Sequence, residues 1–119
     1  MSRILVVDDE ETVLRLIQRV LAGRSHAVTV TDNVETAAAH INAGEFDLLI
    51  SDVRFPKGDG MELAAHFRRK FPRGRIILIS GSLGLQKITS QAAALGIQES
   101  IAKPFDIDLI DAAIQRALA

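Results

Sequence analysis

Short aliphatic runs alternate along the chain with segments whose apolar residues recur at helical spacing. The runs are Ile4–Val7, Ala27–Val30, Leu48–Ile50, Ile76–Ile79 and Ile101–Ala102. The segments between and after them repeat apolar residues three and four apart, the spacing that lines one face of a helix. They carry Val13, Leu14, Ile17, Val20 and Leu21; Val34, Ala37, Ala38 and Ile41; Leu63, Ala64, Phe67 and Phe71; Leu85, Ile88, Ala92 and Leu95; and Ile110, Ala113, Ile114, Ala117 and Leu118. Gly23, Gly44 and Gly96 supply helix stops, and Pro72 follows the third segment. Strands and helices in strict alternation predict an α/β fold, a parallel sheet with helices on both faces.

The runs differ in how apolar they are, and the difference predicts their order. The first, third and fourth are continuous aliphatic stretches, as strands covered on both faces require. The second alternates as Ala27-Val28-Thr29-Val30-Thr31, and the fifth, Gln98-Glu99-Ser100-Ile101-Ala102, is barely apolar. Those two read as edges. Placing them outside gives a five-stranded sheet of order 2-1-3-4-5, a doubly wound, flavodoxin-like arrangement.

Composition narrows the class without changing this picture. The 119 residues fit one domain, spanning 1–119, with 48% hydrophobic and 24% charged residues. No apolar run approaches the roughly 18 residues of a membrane span, and the first residues do not have the build of a signal peptide. The chain has no cysteine, which excludes disulfides and thiolate metal sites and fits a reducing, cytoplasmic setting. Net charge is −1, so the segment carries no basic footprint for nucleic acid, and no membrane contact is expected.

In a sheet of this order, ligands bind beyond the carboxyl ends of the strands, at the switch point between strands 1 and 3. The residues with chemistry to offer stand at those ends: Asp8 and Asp9 after strand 1, Asp52 after strand 3, Ser80 after strand 4 and Lys103 with Pro104 after strand 5. Three carboxylates in one crevice repel; at an effective dielectric of about 20, two unit charges about 4 Å apart cost roughly 4 kcal/mol. Lys103 is one candidate counter-charge. A hard divalent cation is the other, and an all-oxygen site without Cys or nearby His suits Mg²⁺ or Mn²⁺. Beside such a cation, an Asp at a strand end can act as a nucleophile toward phosphorus. Ser80 and Lys103 could then serve the phosphoryl oxygens.

The motifs Ile4-Leu5-Val6-Val7-Asp8-Asp9-Glu10, Ser51-Asp52-Val53-Arg54-Phe55-Pro56 with Asp59-Gly60, Ile79-Ser80-Gly81 and Lys103-Pro104-Phe105 follow in order. In them, and over essentially its whole length, the chain resembles the receiver domain of two-component response regulators. The resemblance implies that Asp52 is the phosphorylation site and that Asp8, Asp9, Asp52 and the backbone carbonyl of Arg54 hold Mg²⁺. It further implies that Ser80 follows the phosphoryl group, that Lys103 pairs with it, and that the Lys103–Pro104 bond is cis. The phosphodonor would be a sensor histidine kinase or a histidine phosphotransfer protein, and a downstream effector or dimer partner would read the result. Such a domain assists its own phosphorylation and hydrolysis but is not a turnover enzyme. Where the family commonly has Tyr or Phe, three residues before the lysine, this chain has Ser100. Output is therefore expected to run through the segment from Ser80 to Leu85 and the helix after it, rather than through the strand 5 edge.

Each residue also has a bland reading. Asp8 to Glu11 could cap the first helix, Asp52 could be a turn residue before Pro56 and Gly60, and Ser80 and Lys103 could be a loop serine and a solvated lysine. Four such accidents at four strand ends are less economical than one site. His26, His40 and His66 share no ligand spacing and read as surface or structural residues. Two rival readings are a pseudo-receiver that binds partners without cycling and a flavodoxin-like cofactor binder. The second is disfavoured because no glycine fingerprint follows a strand and the chain lacks Trp and Tyr.

Overall fold

The computed structural model describes residues 2–81, 92–97 and 99–119. One sheet holds five parallel strands: β1 (Arg3–Val7), β2 (Ala27–Thr31), β3 (Leu48–Asp52), β4 (Arg75–Gly81) and β5 (Glu99–Lys103). Their order is β2-β1-β3-β4-β5, as the distribution of apolar runs predicts. The edges behave accordingly: β2 is mostly half-buried, and only Ile101 of β5 is buried. β1 beyond Arg3, and all of β3, are buried.

The described residues include four helices, α1 (Glu11–Leu21), α2 (Val34–Ala43), α3 (Gly60–Lys70) and α4 (Ile107–Leu118). They cover the sheet in pairs. Leu14, Ile17 and Val20 of α1 and Ile110, Ala113 and Ile114 of α4 pack on Ile4, Val6, Leu48, Ile50, Ile77, Ile79 and Ile101. On the other face, Ala37 and Ile41 of α2 and Leu63, Ala64 and Phe67 of α3 pack on Leu5, Val7, Leu49, Ile76 and Leu78. Each fully buried aliphatic or Phe side chain contributes about 1.5–3 kcal/mol. Side chains alternate along a strand, so this division fixes which face each later strand residue takes.

Local signals set the helix starts. Asn33 accepts the Thr36 N–H at 2.7 Å, Asp59 the Met61 N–H at 2.8 Å and Asp106 the Leu109 N–H at 2.8 Å. Phe71, expected on the third helical face, instead caps α3, and its ring meets Phe46 edge-on with centroids 6.3 Å apart. Of the fourth helical segment read from the sequence, Ala92 and Leu95 join the second core. Leu85 and Ile88, like the Leu85 end of the expected output segment, lie outside the described residues.

Candidate functional site

Register and alternation decide what meets at the carboxyl edge. Val7 pairs with Ser51, Asp52 with Ile79 and Ile79 with Ile101, so Asp8 and Asp52 stand level on neighbouring strands. Asp8 follows Ile4 and Val6, Asp52 follows Leu48 and Ile50, and Lys103 follows Ile101, so period two turns all three toward the α1/α4 face. Lys103 starts on β5, about 10 Å across two strand spacings from β3, and its long stem spans the gap. Its ammonium lies 2.8 Å from Asp52 Oδ2, 2.8 Å from Glu10 Oε1 and 3.0 Å from Asp8 Oδ2.

Four acids crowd this cation. Carboxylate oxygens of Asp8, Asp9, Glu10 and Asp52 all lie within 4.8 Å of one another. At that separation each ionised pair repels by about 3–4 kcal/mol at an effective dielectric near 20. One ammonium cannot offset four carboxylates. Asp8 feels this most, because it is fully buried. Burial pushes its carboxyl above the usual range and the Asp52 charge adds to the push, while the Glu10 N–H and Lys103 oppose it. Lys103 shows the mirror image: burial works to lower it, but hydrogen bonds to Asp52, Glu10 and Asp8 outweigh burial and hold it above its ordinary value.

Among the described residues, one Asp8 oxygen finds no hydrogen-bond donor. Asp8 Oδ1 accepts from the Glu10 N–H at 2.8 Å and from Lys103 Nζ at 3.3 Å. Oδ2 is buried and accepts none; its 3.0 Å approach to Nζ is a charge contact without hydrogen-bond alignment. A buried, unpaired carboxylate oxygen among three further acids is the donor set a hard divalent cation takes. The residues present fit such an ion.

The bland reading of the acids meets a specific obstacle. Glu10 occupies the N-cap of α1 but makes no side-chain cap bond, its carboxylate being turned to Lys103 instead. Asp52 does make a local turn bond, Oδ1 accepting the Arg54 N–H at 3.2 Å, while its second oxygen serves Lys103. The loop beyond β3 is pinned beneath the site. Gly60 donates its N–H to the Val53 carbonyl, and a Cβ there would fall 2.0 Å from the Asp52 carbonyl oxygen. Only glycine lets α3 start this close to the strand.

A family model described as the response regulator receiver domain matches residues 4–115. The chain belongs to this family. Among curated relatives, the DNA-binding transcriptional regulator NtrC of Azospirillum brasilense is 34% identical over 118 residues, which is 98% of this chain and 24% of that protein. The chain thus spans about a quarter of this relative's length. The response regulator TrrA of Thermotoga maritima, solved in complex with Mg²⁺ and a beryllium fluoride, is 28% identical; the match covers 98% of this chain and 99% of that one with a TM-score of 0.81. The Vibrio cholerae chemotaxis response regulator CheY4 shares the fold, with a TM-score of 0.87 over 98% of both chains at 24% identity. The chain is therefore a signalling domain of the two-component kind.

Within this receiver domain, Asp8, Asp52, Ser80 and Lys103 stand at the carboxyl ends of β1, β3, β4 and β5. Asp8, Asp9, Asp52 and Lys103 come together. Ser80 is buried near the end of β4, and its hydroxyl donates to the Gly81 carbonyl at 3.0 Å. Arg54 is placed by an antiparallel bridge to Asp59. The Lys103–Pro104 bond is cis, as the resemblance implies. Ser100 is exposed on β5, paired in register with Leu78. Glu10 is the residue that sequence reasoning passed over. It stands in the motif beside Asp8 and Asp9, and the helix-start reading absorbed it. The three histidines stay apart from the acids: His26 Nδ1 takes the Ser2 N–H at 3.1 Å, and His66 Nε2 bonds Asn42 Oδ1 at 2.8 Å.

Proposed function

We propose that the domain is a phosphorylation-driven switch in which Asp52 accepts a phosphoryl group from a phosphohistidine on a sensor kinase or phosphotransfer protein. The observation that carries the reading is the placement of the Asp52 carboxylate. It lies at the end of a fully buried strand, one oxygen on Lys103, inside a cluster of four acids whose oxygens lie within 4.8 Å. A carboxylate oxygen of Asp52 forms the bond to phosphorus as the phosphorus–nitrogen bond to the donor imidazole breaks, its electron pair returning to the ring nitrogen. Asp8, Asp9, Asp52 and the Arg54 carbonyl would hold a Mg²⁺ ion, with Mn²⁺ as the alternative. The ion when bound supplies charge neutralisation to the phosphoryl oxygens. Lys103 stays protonated throughout, since three acids hold its proton. It orients the Asp52 carboxylate before transfer and pairs with the phosphoryl oxygens afterward. Ser80 reaches those oxygens only if its hydroxyl leaves the Gly81 carbonyl, which makes it the element that registers the product.

On this reading the domain, taken as residues 1–119, works in the cytoplasm and turns over no substrate. A downstream effector or dimer partner reads its state, and with Ser100 exposed on β5, the segment after Ser80 is the expected exit. Incubation with acetyl phosphate and Mg²⁺, followed by intact mass, should add one phosphoryl group labile to hydroxylamine. Asp52→Asn should abolish the addition. Unchanged labelling of that variant would remove Asp52 from the role, and no labelling of the wild type would favour a pseudo-receiver.

A further inference from the structure

The opposite edge of the sheet carries the reverse charge. Residues 63–98 hold six Lys and Arg side chains and no Asp or Glu. Five of the six fall between Arg68 and Arg75, where α3 ends and β4 begins. Arg68 is committed to structure, its guanidinium donating to the carbonyls of Leu95, Pro72 and Gly74 at 2.8, 3.0 and 2.5 Å. Lys70, Arg73 and Arg75 are exposed, and among the described residues none of them forms an ion pair. Burial, and then the nearness of Arg75, pulls the Arg68 guanidinium below its ordinary value, so this edge is crowded with like charge.

These cations rim a groove. Two cavities of about 600 and 650 Å³ adjoin, sharing Phe46, Asp47, Lys70 and Phe71. Arg73 and Arg75 line the first, and Arg3 and Glu45 the second. The Asp47 carboxylate accepts the Arg3 N–H at 2.8 Å. With Glu45 it balances Arg3 and Lys70 in the second cavity, so the positive excess lies in the first, on Lys70, Arg73 and Arg75. Phe46 and Phe71 are half-buried and packed edge to face, so they offer an apolar wall rather than open ring faces on which bases could stack.

We propose that this groove docks an acidic peptide segment of a partner protein, with one apolar side chain against Phe46 and Phe71 and carboxylates on Lys70, Arg73 and Arg75. A run of two cavities suits an extended chain better than a compact ligand. A nucleic acid would bring a long polyanion toward a domain of net charge −1. A short acidic segment feels only the local basic field, within a Debye length of about 8 Å. The site lies at the far end of the strands from Asp52 and does not depend on the phosphoacceptor reading.

The probe is a fluorescein-labelled peptide of Glu and Asp with one central Leu, followed by anisotropy at low salt. It should bind saturably, and a Gln/Asn version should not. R73E/R75E, altering two exposed side chains, should weaken binding at least about tenfold, as loss of charge-assisted contacts does. F71A keeps the charge and should weaken binding several-fold. Circular dichroism confirms folding of each variant, and R73Q/R75Q serves if the reversal does not fold. Equal binding by the charge variants, or no saturable binding by the wild type, overturns the proposal. So does tighter binding of a single-stranded DNA oligonucleotide or of phosphatidylserine vesicles than of the peptide.

Discussion

At the carboxyl edge the Lys103 ammonium contacts three of four clustered carboxylates, whereas at the amino edge the Arg68 guanidinium faces backbone carbonyls. Both cations are partly buried and both fix a loop, but they leave different remainders. Arg68 closes the turn between α3 and β4 with neutral acceptors and leaves no acid in excess. Lys103 leaves excess negative charge, a fully buried Asp8 and an oxygen that, among the described residues, has no hydrogen bond. A structural cation is matched to its acceptors; a cation at a working site is outnumbered by them. On the proposed reading, the surplus is stability withheld for a ligand that brings positive charge.

Matched glycines at the two edges give the largest test of this contrast. A Cβ on Gly60 would lie 2.0 Å from the Asp52 carbonyl and 2.7 Å from the Val53 Cα, all rigid backbone. Gly74 instead meets the Phe67 ring at 2.6 Å. Gly60→Ala should therefore cost more than about 3 kcal/mol by urea unfolding and distort Asp52, while Gly74→Ala should cost about 1–3 kcal/mol. The reverse ranking would mean that the loop beneath the site can yield.

Removing the cations should separate the edges next. Lys103→Met strands a buried Asp8 and Asp52 without their counter-charge and should cost about 2–4 kcal/mol. Arg68→Met loses bonds to neutral carbonyls and should cost about 1–2 kcal/mol. Equal losses would argue that the acids at the site lose their charge as soon as the lysine is gone.

Relieving the surplus should have the opposite sign. Asp8→Asn keeps an acceptor for the Glu10 N–H and removes a buried charge, so it should stabilise the protein by about 1 kcal/mol. Destabilisation would show that the Asp8–Lys103 contact outweighs the repulsion.

The smallest effect concerns acid. Arg116 hydrogen-bonds Glu99 and holds its carboxyl below the usual range, and Arg24 does the same for Asp111. Carboxyls depressed on folding add stability that is present above their unfolded values, near about 4, and lost as pH falls through the folded ones. Urea unfolding should weaken modestly below about pH 4, and less so in Glu99→Gln. An unchanged acid limb in that variant would mean the pair contributes nothing.

Much of this organisation was written in patterns of period two and period 3.6. The continuous runs of β1, β3 and β4 and the mixed runs of β2 and β5 carry the strand order β2-β1-β3-β4-β5. Glu10 was hidden for a local reason: an acid at a helix start is commonplace, and only the reach of Lys103 across two strands draws it away from capping. Phe71 fits a helical face by spacing, yet the chain leaves the helix there so that its ring can close the amino edge against Phe46.

Thermal unfolding against Mg²⁺ tests most directly whether the acidic surplus is held for a cation. The unfolded chain does not cluster these acids, so at ten times the dissociation constant mass action should add about 1.4 kcal/mol, a rise of several degrees for a domain of this size. Asp8→Asn should begin with a higher melting temperature than the wild type and gain little from the ion. A wild type indifferent to millimolar Mg²⁺, or an Asp8→Asn variant that gains as much as the wild type, would contradict the account.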